Sequence, residues 1–113
     1  MVLNSGSLNR RIQILRQSTT PDGYGGSEVT WDNLGGPLYA ARRDVSDSER
    51  LRAGAWDNKL VTRFTIRASA FSRGIRRTDK IVHEGTTYEI SGIKEVQANR
   101  AFLELTAETE EPL

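Results

Sequence analysis

Residues 60–67 read LVTRFTIR, and their alternation decides the fold. Leu60, Thr62, Phe64 and Ile66 fall on one side, with Val61, Arg63, Thr65 and Arg67 on the other. A period of two puts the first set on the buried face of a strand and turns the arginines outward. β-Branched and aromatic side chains also fit a pleated surface better than a helix.

The same period extends in both directions. Residues 8–17, LNRRIQILRQ, set Ile12 and Ile14 opposite Arg11, Gln13 and Leu15. Pro21, Asp22, Gly23, Gly25 and Gly26 then supply the chemistry of a hairpin loop, and Val29 to Trp31 returns as a short strand. Residues 38–43, LYAARR, alternate Leu38, Ala40 and Arg42 against Tyr39, Ala41 and Arg43. Beyond the central strand, KIVH at 80–83 and TTYEISGI at 86–93 flank Glu84-Gly85, a compact hairpin turn. AFLELTAE at 101–108 turns Leu103 and Leu105 inward. These segments predict an all-β fold, a small β-barrel or sandwich of about six or seven strands. With 113 residues, positions 1–113 form a single domain.

Two segments break the pattern. In DVSDSERLRAGAWDN, residues 44–58, Ser46 and Glu49 form a capping box, and Asp47 and Glu49 suit the positive end of a helix dipole. Leu51 and Ala55 give that helix one narrow apolar face. The expectation is one short inserted helix over about 46–58, lying against the mouth of the barrel because so thin a stripe does not hold a helix alone in water. Residues of about 68–79, including SAFSRGIRRTD, show no sustained period and read as a long arginine-rich loop.

Composition narrows the chemistry. The chain has no cysteine, which removes disulfide frameworks and thiolate zinc sites. No apolar run is long enough for a signal peptide or a membrane span, so the sequence predicts a soluble protein made inside the cell. His83 is the only histidine and sits where a strand meets a turn, which predicts an exposed or hydrogen-bonded hairpin residue and neither ligand nor base. Gly23, Gly25 and Gly26 lack the strand-to-helix setting of a phosphate loop. The sequence therefore predicts no catalytic residue, no metal and no cofactor.

Charge is the remaining signal. Residues 1–77 hold 13 Arg or Lys against 7 Asp or Glu, and residues 78–113 hold 3 against 8. Either the molecule has a two-signed surface suited to stacking on partners, or the strands intermix the halves and erase the polarity. Arg73, Arg76 and Arg77 beside Phe71 have two functional readings. They dock on acids of a neighbouring protein or grip a phosphate backbone, and a net charge of +1 with no aromatic stacking platform ranks protein contact first.

The order of features resembles a known family. Gly6 and Leu8 precede an Arg11-Ile12 strand, the Asp22-Gly23-x-Gly25-Gly26 hairpin is followed by Trp31, and a strand carries Tyr39-Ala40-Ala41. Ser46 to Glu49 opens a helix, Thr65-Ile66-Arg67 ends a strand, and Tyr88-Glu89-Ile90-x-Gly92-Ile93 follows. Each is ordinary strand or turn chemistry, but their order across nearly the whole chain is similar to that of bacteriophage head-tail joining proteins, the head-closure or stopper proteins. Gene transfer agents, which are phage-derived particles, use similar parts.

That resemblance implies a structural component of the virion neck, assembled in the bacterial cytoplasm as a homo-oligomeric ring of about six or twelve copies. Its partners are the portal or adaptor ring and the tail proteins, with possible contact to packaged double-stranded DNA and none to membrane. It further implies that Arg50, Arg52 and Trp56 on the inserted helix, together with Arg73, Arg76 and Arg77, face a neighbouring subunit or the DNA channel. The alternatives are a small nucleic-acid-binding β-barrel, with Arg63, Arg67, Arg73, Arg76 and Arg77 along the strand it binds, or a tail-completion protein of the same particle.

Overall fold

The structure, a computed structural model, describes residues 5–45, 59–96 and 99–110. It contains seven strands: β1 (Arg10–Pro21), β2 (Ser27–Asn33), β3 (Leu38–Asp44), β4 (Lys59–Arg67), β5 (Lys80–His83), β6 (Thr86–Val96) and β7 (Asn99–Glu110). Single 3-10 turns lie at Ser5–Ser7 and Ser72–Gly74. The helix expected over 46–58 lies outside the described residues, and so do Arg50, Arg52 and Trp56.

All seven strands belong to one antiparallel sheet in the order β2-β1-β3-β4-β7-β6-β5, and a further β1–β5 pairing closes it. Of barrel and sandwich, the closed single sheet is the one formed. Closure removes the edges that an open sheet would expose. It depends on β1 serving three partners along its length. Arg10–Ile12 pair with β3, Gln13–Leu15 with β5, and Leu15–Pro21 with β2.

The interior is the face the alternation predicted. Ile12, Ile14, Ala40, Phe64, Ile66, Ile81, Tyr88, Ile90, Leu103, Leu105 and Ala107 form one buried cluster. Phe64 stands at its centre, edge-on to His83 at 5.4 Å and to Tyr88 at 5.5 Å between ring centroids. A smaller cluster of Leu8, Ala41 and Phe102 packs separately. Thr62 is buried among the apolar residues of β4, where its hydroxyl donates to Asp44 Oδ1 at 3.1 Å.

His83 takes the hydrogen-bonded one of its two expected forms. It is buried, with Nδ1 3.0 Å from the Arg11 carbonyl. Its position two residues from Ile81 places it on the core face of β5, and because a carbonyl only accepts, Nδ1 is the donor in this bond.

Several strands outrun their sequence limits. β1 and β2 continue to Pro21 and from Ser27, so the loop between them shrinks to the turn around Asp22. Asp22 Oδ1 accepts from the amides of Tyr24 and Gly26, the local bond that favours aspartate at turns. The β5–β6 turn is the expected two-residue one, with φ of 49° at Glu84 and 80° at Gly85. Positive φ at both centres gives the twist that matches the flanking strands.

Beyond Leu15 the β1–β2 hairpin leaves the closed sheet. Every residue of β1 from Gln17 and every residue of β2 except Trp31 is exposed. The molecule is accordingly elongated, 53 × 35 × 23 Å.

Candidate functional site

The basic segment between β4 and β5 is a pinned loop, and its construction starts with serines. Ser72 Oγ donates to the Arg67 carbonyl at 2.8 Å and accepts from the Ser69 amide at 2.7 Å, while Ser69 Oγ accepts from the Ser72 amide at 3.0 Å. These bonds replace the ladder partners lost as β4 ends, because a hydroxyl can serve backbone groups a few residues away. The Ser72–Gly74 turn follows, and Ile75 drops into the main core.

Asp79 ties the other end. It is buried, and Arg16 of β1 grips it with two parallel bonds, Nε to Oδ1 at 3.0 Å and Nη2 to Oδ2 at 2.8 Å. The Arg76 amide adds a third bond at 2.8 Å, and Arg16 Nη2 also reaches the Gly74 carbonyl at 2.9 Å. Burial alone pushes the Asp79 carboxyl up. The bonds from Arg16 and the Arg76 amide outweigh it and hold the carboxyl below its ordinary value. The same pairing raises Arg16.

Buried Ser72, Ile75 and Asp79 thus interleave with exposed Arg73, Arg76 and Arg77. The loop is fixed through its buried positions and presents its arginines from a rigid base. Phe71 packs over Gly35 in the turn after β2, and a Cβ on Gly35 would come within 2.6 Å of the ring. Lys80 lies over the Trp31 ring at 4.4 Å, a cation–π contact that ties the loop's end to β2.

The three arginines are not equivalent. Arg73 pairs with Glu95 at 3.2 Å, and Arg100 meets the same carboxylate at 3.3 Å. Arg73 is the main cause, with Arg100 behind it, of a Glu95 carboxyl held below its usual value. Among the described residues the side chains of Arg76 and Arg77 make no hydrogen bond or ion pair. The loop therefore offers two exposed guanidinium groups.

The charge halves intermix, the second of the two expectations. Arg10 meets Glu84, Arg16 meets Asp79, Arg63 lies 3.7 Å from Glu104, and Arg73 meets Glu95. Each pair joins an arginine of residues 1–77 to an acid of residues 78–113. Lys94 also reaches Glu104, at 3.5 Å. Arg63 and Arg73 of the five-arginine track thus face carboxylates. Among the described residues no three His, Cys, Asp or Glu are gathered to hold a metal ion, and no helix is long and apolar enough to cross a membrane.

Sequence reasoning found the loop and its arginines but missed the Arg16–Asp79 clamp. Those two residues lie 63 positions apart, and nothing local marks them as a pair.

Comparison with known proteins bears on this surface. The chain is similar to protein SF1141 from Shigella flexneri 2a, whose solution structure superposes with a TM-score of 0.70 at 28% identity over 93% of this chain and 95% of that one. It also resembles a chain from the virion of a native gene transfer agent particle, with a TM-score of 0.64 at 24% identity over 89% and 93%. No curated protein matches the chain significantly. The family model for the phage head completion protein matches residues 3–111, nearly the entire sequence and every strand of the closed sheet. The chain belongs to the phage head completion protein family.

Proposed function

We propose that this protein is a non-catalytic neck component that closes a filled phage-like head. Copies form a ring, about six or twelve, between the portal or adaptor and the tail, and the ring helps retain packaged DNA until delivery. The observation that carries this reading is the family match across residues 3–111. A chain of the same fold in a gene transfer agent virion supports a place in the finished particle. The rigid loop with Arg76 and Arg77 supplies a protein-docking surface, and Arg73 contributes through its shared carboxylate.

Mass measurement of the pure protein, alone and mixed with portal or adaptor, tests the proposal. The expected result is multi-copy assembly in the mixture, where a preceding ring can template the next. A chain that stays monomeric and joins no such assembly sinks it. A nucleic-acid reading draws on the same two arginines and predicts binding by the free monomer with a steep salt dependence. The carboxylates facing Arg63 and Arg73 count against it, and absence of a mobility shift at low salt removes it.

A further inference from the structure

Among the described residues the β1–β2 arm is the longest stretch left outside the core. From Gln17 to Asn33 every residue except Trp31 is exposed, Tyr24 by 96% and Val29 by 53%. Register places Gln17, Thr19, Pro21, Ser27, Val29 and Trp31 on one face, and Ser18, Thr20, Glu28, Thr30 and Asp32 on the other. Among the described residues β2 pairs with β1 alone, and β1 beyond Leu15 pairs with β2 alone. A two-stranded ribbon with no second layer is marginal by itself, and its open edges carry none of the lysines that usually guard such edges.

Charge identifies what it fits. Residues 17–33 contain Asp22, Glu28 and Asp32 and no Lys or Arg. An acidic arm repels phosphate and calls for a basic protein surface. The pinned loop presents one, with Arg76 and Arg77 exposed on a backbone that is held in place, so little backbone ordering is needed on contact. Within one copy that loop sits at the arm's base, where Arg16 reaches the Gly74 carbonyl and Lys80 lies over Trp31. Asp22 and Glu28 lie at the far end of an extended ribbon, away from that base.

We propose that the acidic tip of the arm docks on the Arg76–Arg77 loop of a second copy of this chain. Tip against base is a heterologous contact, the kind that generates a ring when its rotation closes. The inference rests on the ring reading above and names the surfaces that would make it.

The chain has no cysteine, so a disulfide can report the contact. Two full-length versions, Ser27→Cys on the arm and Thr78→Cys beside the arginines, are produced together in assembling particles, one carrying a size tag, and are mildly oxidised. The expected product is a mixed disulfide between the two versions, absent when either is present alone. In parallel, Glu28→Lys at the tip is expected to lower incorporation severalfold, and adding Arg76→Glu with Arg77→Glu to the same chain is expected to restore it. An amine-reactive cross-linker on the native chain separates the failures. Multi-copy products without the mixed disulfide overturn the arm contact and leave the ring standing. An arm cysteine captured by a portal, adaptor or tail protein also overturns it. No multi-copy product at all takes down ring and arm contact together.

Discussion

β1 is one continuous strand of two kinds. From Ile12 through Leu15 it alternates buried and half-buried residues, with Ile12 and Ile14 sealed in the core, and from Gln17 onward it buries nothing. Backbone pairing continues unbroken across the change, so hydrogen bonding does not distinguish the halves. What distinguishes them is a second layer. The closed sheet provides one for Ile12–Leu15, and the described residues provide none for the arm. Stability should therefore rest on the first stretch and, on the proposed arm contact, assembly on the second, so perturbations should sort accordingly.

The largest effect belongs to the core. Phe64→Ala removes the ring on which His83 and Tyr88 pack and leaves a cavity where neighbours are fixed by closure. Urea denaturation should show a loss of about 3–5 kcal/mol. A loss under about 1 kcal/mol would mean that the sheet collapses freely, which the comparison forbids.

Next comes the clamp at the boundary between the regions. Asp79→Asn keeps the shape but gives up the charge that Arg16 grips, and should cost about 2 kcal/mol near neutral pH. Because the native carboxyl is held below its unfolded value, its contribution is complete above the ordinary carboxylate range and disappears as pH falls through the depressed native value. The gap between wild type and Asp79→Asn in acid titrations should therefore narrow only in strong acid. A gap that narrows near neutrality would place the stabilisation elsewhere.

The two regions also differ in how much of them could be read from the residues alone. LVTRFTIR announces a strand because Phe64 and Ile66 alternate with arginines, and burial enforces that alternation. The arm has no inside, so Ser18, Thr19 and Thr20 carry no period and the strand was placed three or four residues short. His83 hides its burial for the opposite reason. Its spacing from Ile81 marks the core face, but its polarity masks the pattern until the Arg11 carbonyl is seen to satisfy Nδ1. Arg73, Arg76 and Arg77 were visible as a cluster, whereas the rank among them depends on Glu95, which approaches only through the fold.

Gly35 probes the join between loop and arm. Its φ is +67°, a conformation that costs an L side chain, and the Phe71 ring fills the space beside it. Gly35→Ala should lose about 1 kcal/mol, with part of the strain relieved by rotation of the half-exposed ring. Phe71→Ala combined with Gly35→Ala should then recover some of that loss. Additive losses would show that the backbone conformation, and not the ring, sets the cost.

The smallest change in stability should come from the arm, and it carries the sharpest test of the comparison. Tyr24→Ser with Val29→Ser removes two exposed apolar side chains of the arm and keeps the backbone bonds of the Asp22 turn and the strand pairing. Because both side chains are exposed, urea denaturation should move by no more than about 0.5 kcal/mol. Incorporation into particles should nevertheless fall, since those side chains gain burial only against a partner. Hydrogen exchange gives the same contrast without mutation. Amides of 17–33 should exchange far faster than those of β4 and β7 in the free protein, because small openings free a two-stranded ribbon while the closed sheet opens only globally. In the assembled particle the arm amides should slow markedly. If they are already as protected as the core in the free chain, the arm is part of the folded unit, and its exposure would need an explanation other than a missing neighbour.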